Sequence, residues 1–178
     1  MENASAVSGP HRRVLSIHLG PKDEKESYVA IIFGKEVEVE RVGSLGDEVF
    51  IEQLIKERDG EYDVISLEGF HEHLELSHVS LQHSVTKKLL SIAKKTPVVT
   101  GQDVQSCLER WGICATNKQL PGVLGEKKVL LTPGLGHSGF AAGVDAFTHE
   151  VCYADPVIYF ALPNFPGIMS EGVSESII

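Results

Sequence analysis

From residue 47 onward the sequence switches repeatedly between two periods, and this alternation constrains the fold more than any other feature. Asp47 stands as an N-cap ahead of Phe50, Ile51, Leu54 and Ile55, an apolar stripe at helical spacing that Gly60 stops. Tyr62 to Leu67 is short and β-branched. A second amphipathic helix is expected to carry Leu81, Val85, Leu89 and Ile92 on one face and to end at Lys94-Lys95-Thr96-Pro97. Pro97 to Thr100 reads as a strand. Asp103 then caps a helix whose Val104, Cys107, Leu108 and Trp111 fall at i, i+3, i+4 and i+7, a stripe that should pack, before Gly112 closes it. A strand at Lys127–Thr132, a helix over 138–149 and a strand over 150–154 complete the series. Ahead of it lie a strand over 13–19 ending at Gly20-Pro21, and two β-rich runs, 28–33 and 36–42, joined through Gly34-Lys35. In the second run Glu36, Glu38 and Glu40 alternate with Val37, Val39 and Arg41, which places the acidic set on one exposed face. Strands alternating with helices imply parallel strands with right-handed crossovers.

With 42% hydrophobic and 23% charged residues in 178, the composition is that of a globular protein with a core to bury. Sixteen Lys and Arg against 25 Asp and Glu leave a net charge of -9. That surface repels nucleic-acid phosphate and anionic lipid, so small molecules, a second copy of the chain or another protein remain as partners. The longest apolar runs, such as Val157 to Leu162, fall far short of the roughly 20 residues that span a bilayer. Residues 1–12 place Glu, Ser, Gly and Pro before any apolar run, which reads as a flexible leader and not as a secretory signal. Cys107, Cys114 and Cys152 form no C-x-x-C pair, and their odd number fits a reduced cytoplasm, with the three as small buried hydrophobes.

The most specific motif is Gly134-Leu135-Gly136-His137-Ser138-Gly139, a complete G-x-G-x-x-G between a strand and a helix. In a dinucleotide-binding unit Gly134 permits the tight turn and Gly136 lets a pyrophosphate approach the backbone. Gly139 lets helix and strand pack closely, and the phosphate rests on the N–H groups near Ser138. Asp155 follows Gly134 by 21 residues, close to the spacing of a ribose contact. A carboxylate there favours NAD over NADP, whose 2′-phosphate it would repel. The competing reading is that these glycines serve only a tight turn, and 23 residues after Asp155 are too few for the second half of a dinucleotide fold. The expected fold class is therefore α/β, a mostly parallel sheet with helices on both faces and an N-terminal antiparallel hairpin, arranged in a Rossmann-like way. Residues 13–163 form a single domain, 13–113 as its first βα part and 127–163 as the glycine-loop βαβ unit, with 164–178 as a tail.

A second constellation follows Leu67. Glu68, His71 and His73 stand at the carboxyl end of an expected parallel strand, where open α/β sheets place ligands, and Asp103 follows the neighbouring strand. They are weak candidates for acid–base catalysis. Their spacing, with His78 and His83 further on, matches no recognised metal pattern, so no metal site is assigned and a solvated loop is the plainer reading. The opening strand carries Ser16 and His18 where metal-dependent phosphoryl-transfer folds of similar element order need a carboxylate, which disfavours that chemistry.

Arg13-Val14-Leu15-Ser16-Ile17-His18-Leu19-Gly20, Asp63-Val64-Ile65-Ser66-Leu67-Glu68-Gly69, the segment 95–101 and the segment 155–163 together resemble bacterial proteins catalogued as quinate or shikimate 5-dehydrogenase-like. The similarity is diffuse and covers most of residues 13–163. It implies an α/β fold and an NAD(P)-dependent oxidoreductase acting on a small hydroxylated carboxylic acid. The Lys and Asp of the substrate site in true shikimate dehydrogenases have no matching motif here, so no catalytic residue carries over. The alternative is a non-catalytic ligand-binding or protein-interaction domain without a cofactor.

Overall fold

The computed structural model describes residues 11–76, 79–132, 134–148 and 150–158. Its elements run β1 (Arg12–His18), β2 (Lys25–Ile32), β3 (Lys35–Gly43), α1 (Glu48–Arg58), β4 (Val64–Glu68), β5 (His73–Leu76), β6 (Val79–Gln82), α2 (Ser84–Leu90), β7 (Val98–Val99), α3 (Gln102–Gln119), β8 (Val129–Leu131), α4 (Ser138–Asp145), β9 (Val151–Tyr153) and α5 (Asp155–Ile158). The chain divides into two compact units, one made of residues 1–72 and 83–101, the other of 73–82 and 102–178. Of the leader expected over 1–12, residues 1–10 lie outside the described residues and Arg12 already opens β1, and the tail expected over 164–178 lies outside them.

In the first unit a five-stranded mixed sheet has the order β2-β3-β1-β4-β7. β3 and β4 flank β1 in parallel, β7 joins β4 in parallel, and β2 is an antiparallel edge on β3. Leu15 and Ile17 alternate with Ser16 and His18 along β1, so one face is apolar and the other polar. Ile51 and Ile55 of α1 and Leu89 of α2 enter one cluster with Leu15, Ile17, Ile65 and Leu67, all fully buried. Asp47 caps α1 by accepting from the Val49 and Phe50 N–H groups, and Gly60 follows its end at φ +94°. The Asp59 carboxylate accepts from the Lys94, Lys95 and Thr96 N–H groups, which ties the end of α1 to the segment before β7.

The second unit contains two small sheets, the antiparallel β5-β6 hairpin and the parallel β8-β9 pair joined through α4. α3 and α4 pack closely: a Cβ on Gly139 would collide with the Ser106 carbonyl oxygen, and one on Gly143 would lie 2.9 Å from Ile113 Cβ.

This architecture corrects the expected Rossmann-like sheet with helices on both faces. The main sheet is mixed, both helices of its unit bury their apolar residues in one cluster, and β8-β9 is a separate sheet in a separate unit. Smaller corrections follow from local geometry. The hairpin connector is Phe33-Gly34, both at positive φ (51° and 73°), because a primed two-residue turn matches strand twist. Leu81 belongs to strand β6 and not to a helix, α2 being only Ser84–Leu90. α3 begins at Gln102, which makes Asp103 a first-turn residue and not the cap. Cys152 is buried as expected, whereas Cys107 and Cys114 are exposed.

Candidate functional site

The polar face of the main sheet gathers side chains from four strands. Register fixes this: Ser16 stands beside Arg41 on β3 and Ser66 on β4, Glu26 on β2 stands opposite Arg41, and His18 is level with Glu68. Arg41 donates from Nη2 to both Glu68 oxygens at 3.0 Å and from Nη1 to Glu26 at 3.1 Å, and Ser16 Oγ donates to Glu68 Oε2 at 3.1 Å. The hydrogen bonds to Glu68 raise the Arg41 pKa further above its ordinary value. Two carboxylates around one guanidinium leave the cluster with a net negative charge, so it disfavours a further anion and suits a ligand that donates hydrogen bonds.

His18 completes the group. It is 7% exposed, and its Nδ1 accepts from the Gly20 N–H at 3.1 Å. A neutral imidazole whose Nδ1 accepts carries its proton on Nε2. That Nε2 is buried and has no hydrogen-bond partner among the described residues. A buried donor without a partner costs about 1–3 kcal/mol, and such groups cluster where a ligand or ordered water completes them. The carboxyl ends of parallel strands β1 and β4, where these residues stand, are the edge at which open sheets take ligands.

Of the weak catalytic candidates, only Glu68 enters this cluster, and its partners are Arg41 and Ser16. His71 belongs to the same unit, whereas His73 and Asp103 belong to the other. The His73 backbone is engaged twice by the Gln102 side chain, its N–H donating to Oε1 and its carbonyl accepting from Nε2. Among the described residues no group of three His, Cys, Asp or Glu could hold a metal ion. Arg41, Ser16 and Glu26 escape sequence reasoning because they are scattered over three strands. The one signal available was the polar Ser16 and His18 pair within an otherwise apolar strand.

The glycine loop of the second unit is built differently from its expected role. Asp155 is 2% exposed, and its carboxylate accepts from the Gly134 N–H at 2.7 Å and the Leu135 N–H at 3.4 Å. The residue read as a ribose contact is thus turned inward as a tie on the loop. Gly134 is required because a Cβ would lie 2.5 Å from Tyr153 Cδ1, and Gly139 because of its approach to α3. His137, at the N-cap of α4, binds Glu109 Oε1 through Nδ1 at 2.5 Å, and the Ser138 and Ser106 hydroxyls are 2.7 Å apart. Gly136 lies in the turn between these ties. Among the described residues no helix is long and apolar enough to cross a membrane.

Residues 13–100 match a family model described as a domain of unknown function (DUF8753), and residues 103–171 match a second so described (DUF8754). The gap between the two matches falls where the chain passes from the first unit to the second, between residues 101 and 102. No curated protein and no solved structure matches the chain.

Proposed function

We propose that the chain is a cytoplasmic, non-catalytic ligand-binding protein whose first unit takes a small polyhydroxylated molecule at the carboxyl edge of β1 and β4. The buried, unpartnered His18 Nε2–H carries this reading. Ligand hydroxyls would accept from that donor and donate to the Glu68 carboxylate, which Ser16 and Arg41 hold in place. Within this class a neutral polyol suits the net negative cluster better than an acid does, and the hydroxylated ring acids implied by the family resemblance fit only with their carboxylate turned away from Glu26 and Glu68. Titration calorimetry with quinate, shikimate and a neutral cyclic polyol, alongside the His18 side-chain nitrogen resonances, is the test. Saturable binding that shifts His18 Nε2 and weakens at least tenfold in Glu68→Gln, about 1.4 kcal/mol, is expected. No heat and no shift with any of the three at millimolar concentration overturns the reading.

A second reading, an NAD(P)-dependent oxidoreductase, is favoured by the β8-α4-β9 crossover with the glycine loop at its turn. It leaves the backbone N–H groups of Gly136, Ser138 and Gly139 for phosphate, since Asp155 already holds those of Gly134 and Leu135. Calorimetry with NAD, NADP and their reduced forms tests it. Binding that Gly136→Val abolishes with an unchanged circular dichroism spectrum supports it, and the absence of heat with all four rejects it.

A further inference from the structure

The turn that follows β1 folds back over the end of the polar cluster, and two glycines make room for it. A Cβ on Gly43, beside His18 in the sheet, would lie 1.8 Å from the Pro21 carbonyl oxygen. One on Gly20 would lie 2.5 Å from His18 Cε1 and 2.7 Å from Glu24 Oε2. Backbone hydrogen bonds hold the turn down, the Leu45 N–H donating to the Gly20 carbonyl and the Gly43 N–H to that of Glu24. It forms a fixed wall of the site.

This wall carries Glu24 to the His18 ring. Both groups approach the same point at Gly20, so Glu24 Oε2 is within about 5 Å of Cε1 and, one C–N bond further, within about 6.5 Å of Nε2. Glu24 is partly buried and makes no hydrogen bond or ion pair among the described residues. Lys22 of the same turn does not neutralise it, being committed to Asp47 and to the Phe50 ring. Glu24, Glu26 and Glu68 thus share one guanidinium, Arg41, beside the buried and unpartnered His18 Nε2–H.

The two unmet groups need different things. The Nε2–H needs an acceptor, and the partly buried carboxylate needs a cation, since an unpaired charge withdrawn from water is costly. A metal ion does not suit, because that ring nitrogen carries a proton and no group of three His, Cys, Asp or Glu among the described residues could hold one. An amine beside a hydroxyl suits both. Two hydrogen bonds of about 2.9 Å already span most of the distance from Nε2 to Glu24 Oε2, which places the hydroxyl and the ammonium on adjacent carbons.

Resting on the polyol reading of this cluster, we infer that its preferred ligand is a vicinal amino alcohol of the amino-sugar class. Its hydroxyl accepts from His18 Nε2–H and donates to Glu68, and its ammonium pairs with Glu24. Charge-assisted hydrogen bonds are roughly twice as strong as neutral ones, so the positive charge sets the preference.

Titration calorimetry near neutral pH with glucose, glucosamine and N-acetylglucosamine tests this, because the three carry a hydroxyl, an ammonium and an uncharged amide at one carbon. The His18 side-chain nitrogen resonances are recorded alongside. Glucosamine should bind at least tenfold more tightly than either neutral sugar, with the advantage shrinking as salt is raised. Glu24→Gln, checked for folding by circular dichroism, should bring the ratio of glucosamine to glucose affinity to about one. A ratio near one in the wild type overturns the amine assignment while leaving the polyol reading in place. So does a preference that persists undiminished in Glu24→Gln, which would move the charge recognition to Glu26. Absence of heat and of any His18 shift with all three sugars at millimolar concentration overturns both.

Discussion

Gly139→Ala tests the account of the glycine loop most directly. On a dinucleotide reading this glycine serves the packing of helix against strand. In the structure it serves α3: a Cβ would collide with the Ser106 carbonyl oxygen and lie 2.8 Å from Glu109 Cβ. The main obstacle is backbone within a helix, which cannot rotate aside as a side-chain tip can. Overpacking of this kind costs about 1–3 kcal/mol, and a fixed obstacle places it at or above the upper end. Replacing glycine by alanine within a helix returns about 1 kcal/mol. The net expectation is a loss of about 2 kcal/mol, or roughly 4–8 °C in melting temperature for a chain of this size. Gly112→Ala is the internal control, since it makes the same exchange within a helix where a Cβ meets nothing within 4 Å among the described residues. It should gain about 1 kcal/mol. Thermal and urea denaturation of the two variants side by side provide the measurement. A Gly139→Ala variant as stable as wild type would refute the close approach of α3 and α4, and with it the structural role given to the loop's last glycine.

Asp155→Ala, which removes the buried acceptor of the Gly134 and Leu135 N–H groups, should cost about 2–3 kcal/mol, with Asp155→Asn milder, read by urea unfolding. Leu15→Ala in the fully buried cluster of the first unit should cost about 2–5 kcal/mol by the same assay. Backbone hydrogen bonds from Lys94 and Thr96 hold the Asp59 carboxyl below its usual range, and one from Arg13 with a side-chain bond from Arg12 does the same for Asp63. Their contribution is complete above the unfolded value near pH 4 and is lost as pH falls through the lower folded values. The urea midpoint should therefore drop below about pH 4, and less steeply in an Asp59→Asn, Asp63→Asn double variant. Burial and the hydrogen bond to Glu40 push the Tyr62 hydroxyl up to about 12, so spectrophotometric titration should show one late tyrosine that disappears in Tyr62→Phe.

The sequence alone was enough for what is written in consecutive residues. Asp47 as a cap, Gly60 as a stop and the alternation of β1 are decided by neighbours within a turn or a strand length, so the periods and caps reveal them. The glycine motif was legible for the same reason, although its use was not. Whether the Asp155 carboxylate faces a ligand or closes back on Gly134 depends on the path of β9 and α5. The polar cluster was illegible because Ser16, Glu26, Arg41 and Glu68 are brought together only by strand register, and β3 reaches the side of β1 through a pairing that no local pattern encodes. The orientation of α3 was decided by tertiary structure against its own pattern. Its apolar stripe pointed to a core face, whereas the small residues Gly139 and Gly143 on α4 admit α3 on the side of Ser106 and Ile113. Backbone proximity at two glycines fixed which side of that helix is buried, and left Val104, Leu108 and Trp111 of the apolar stripe exposed.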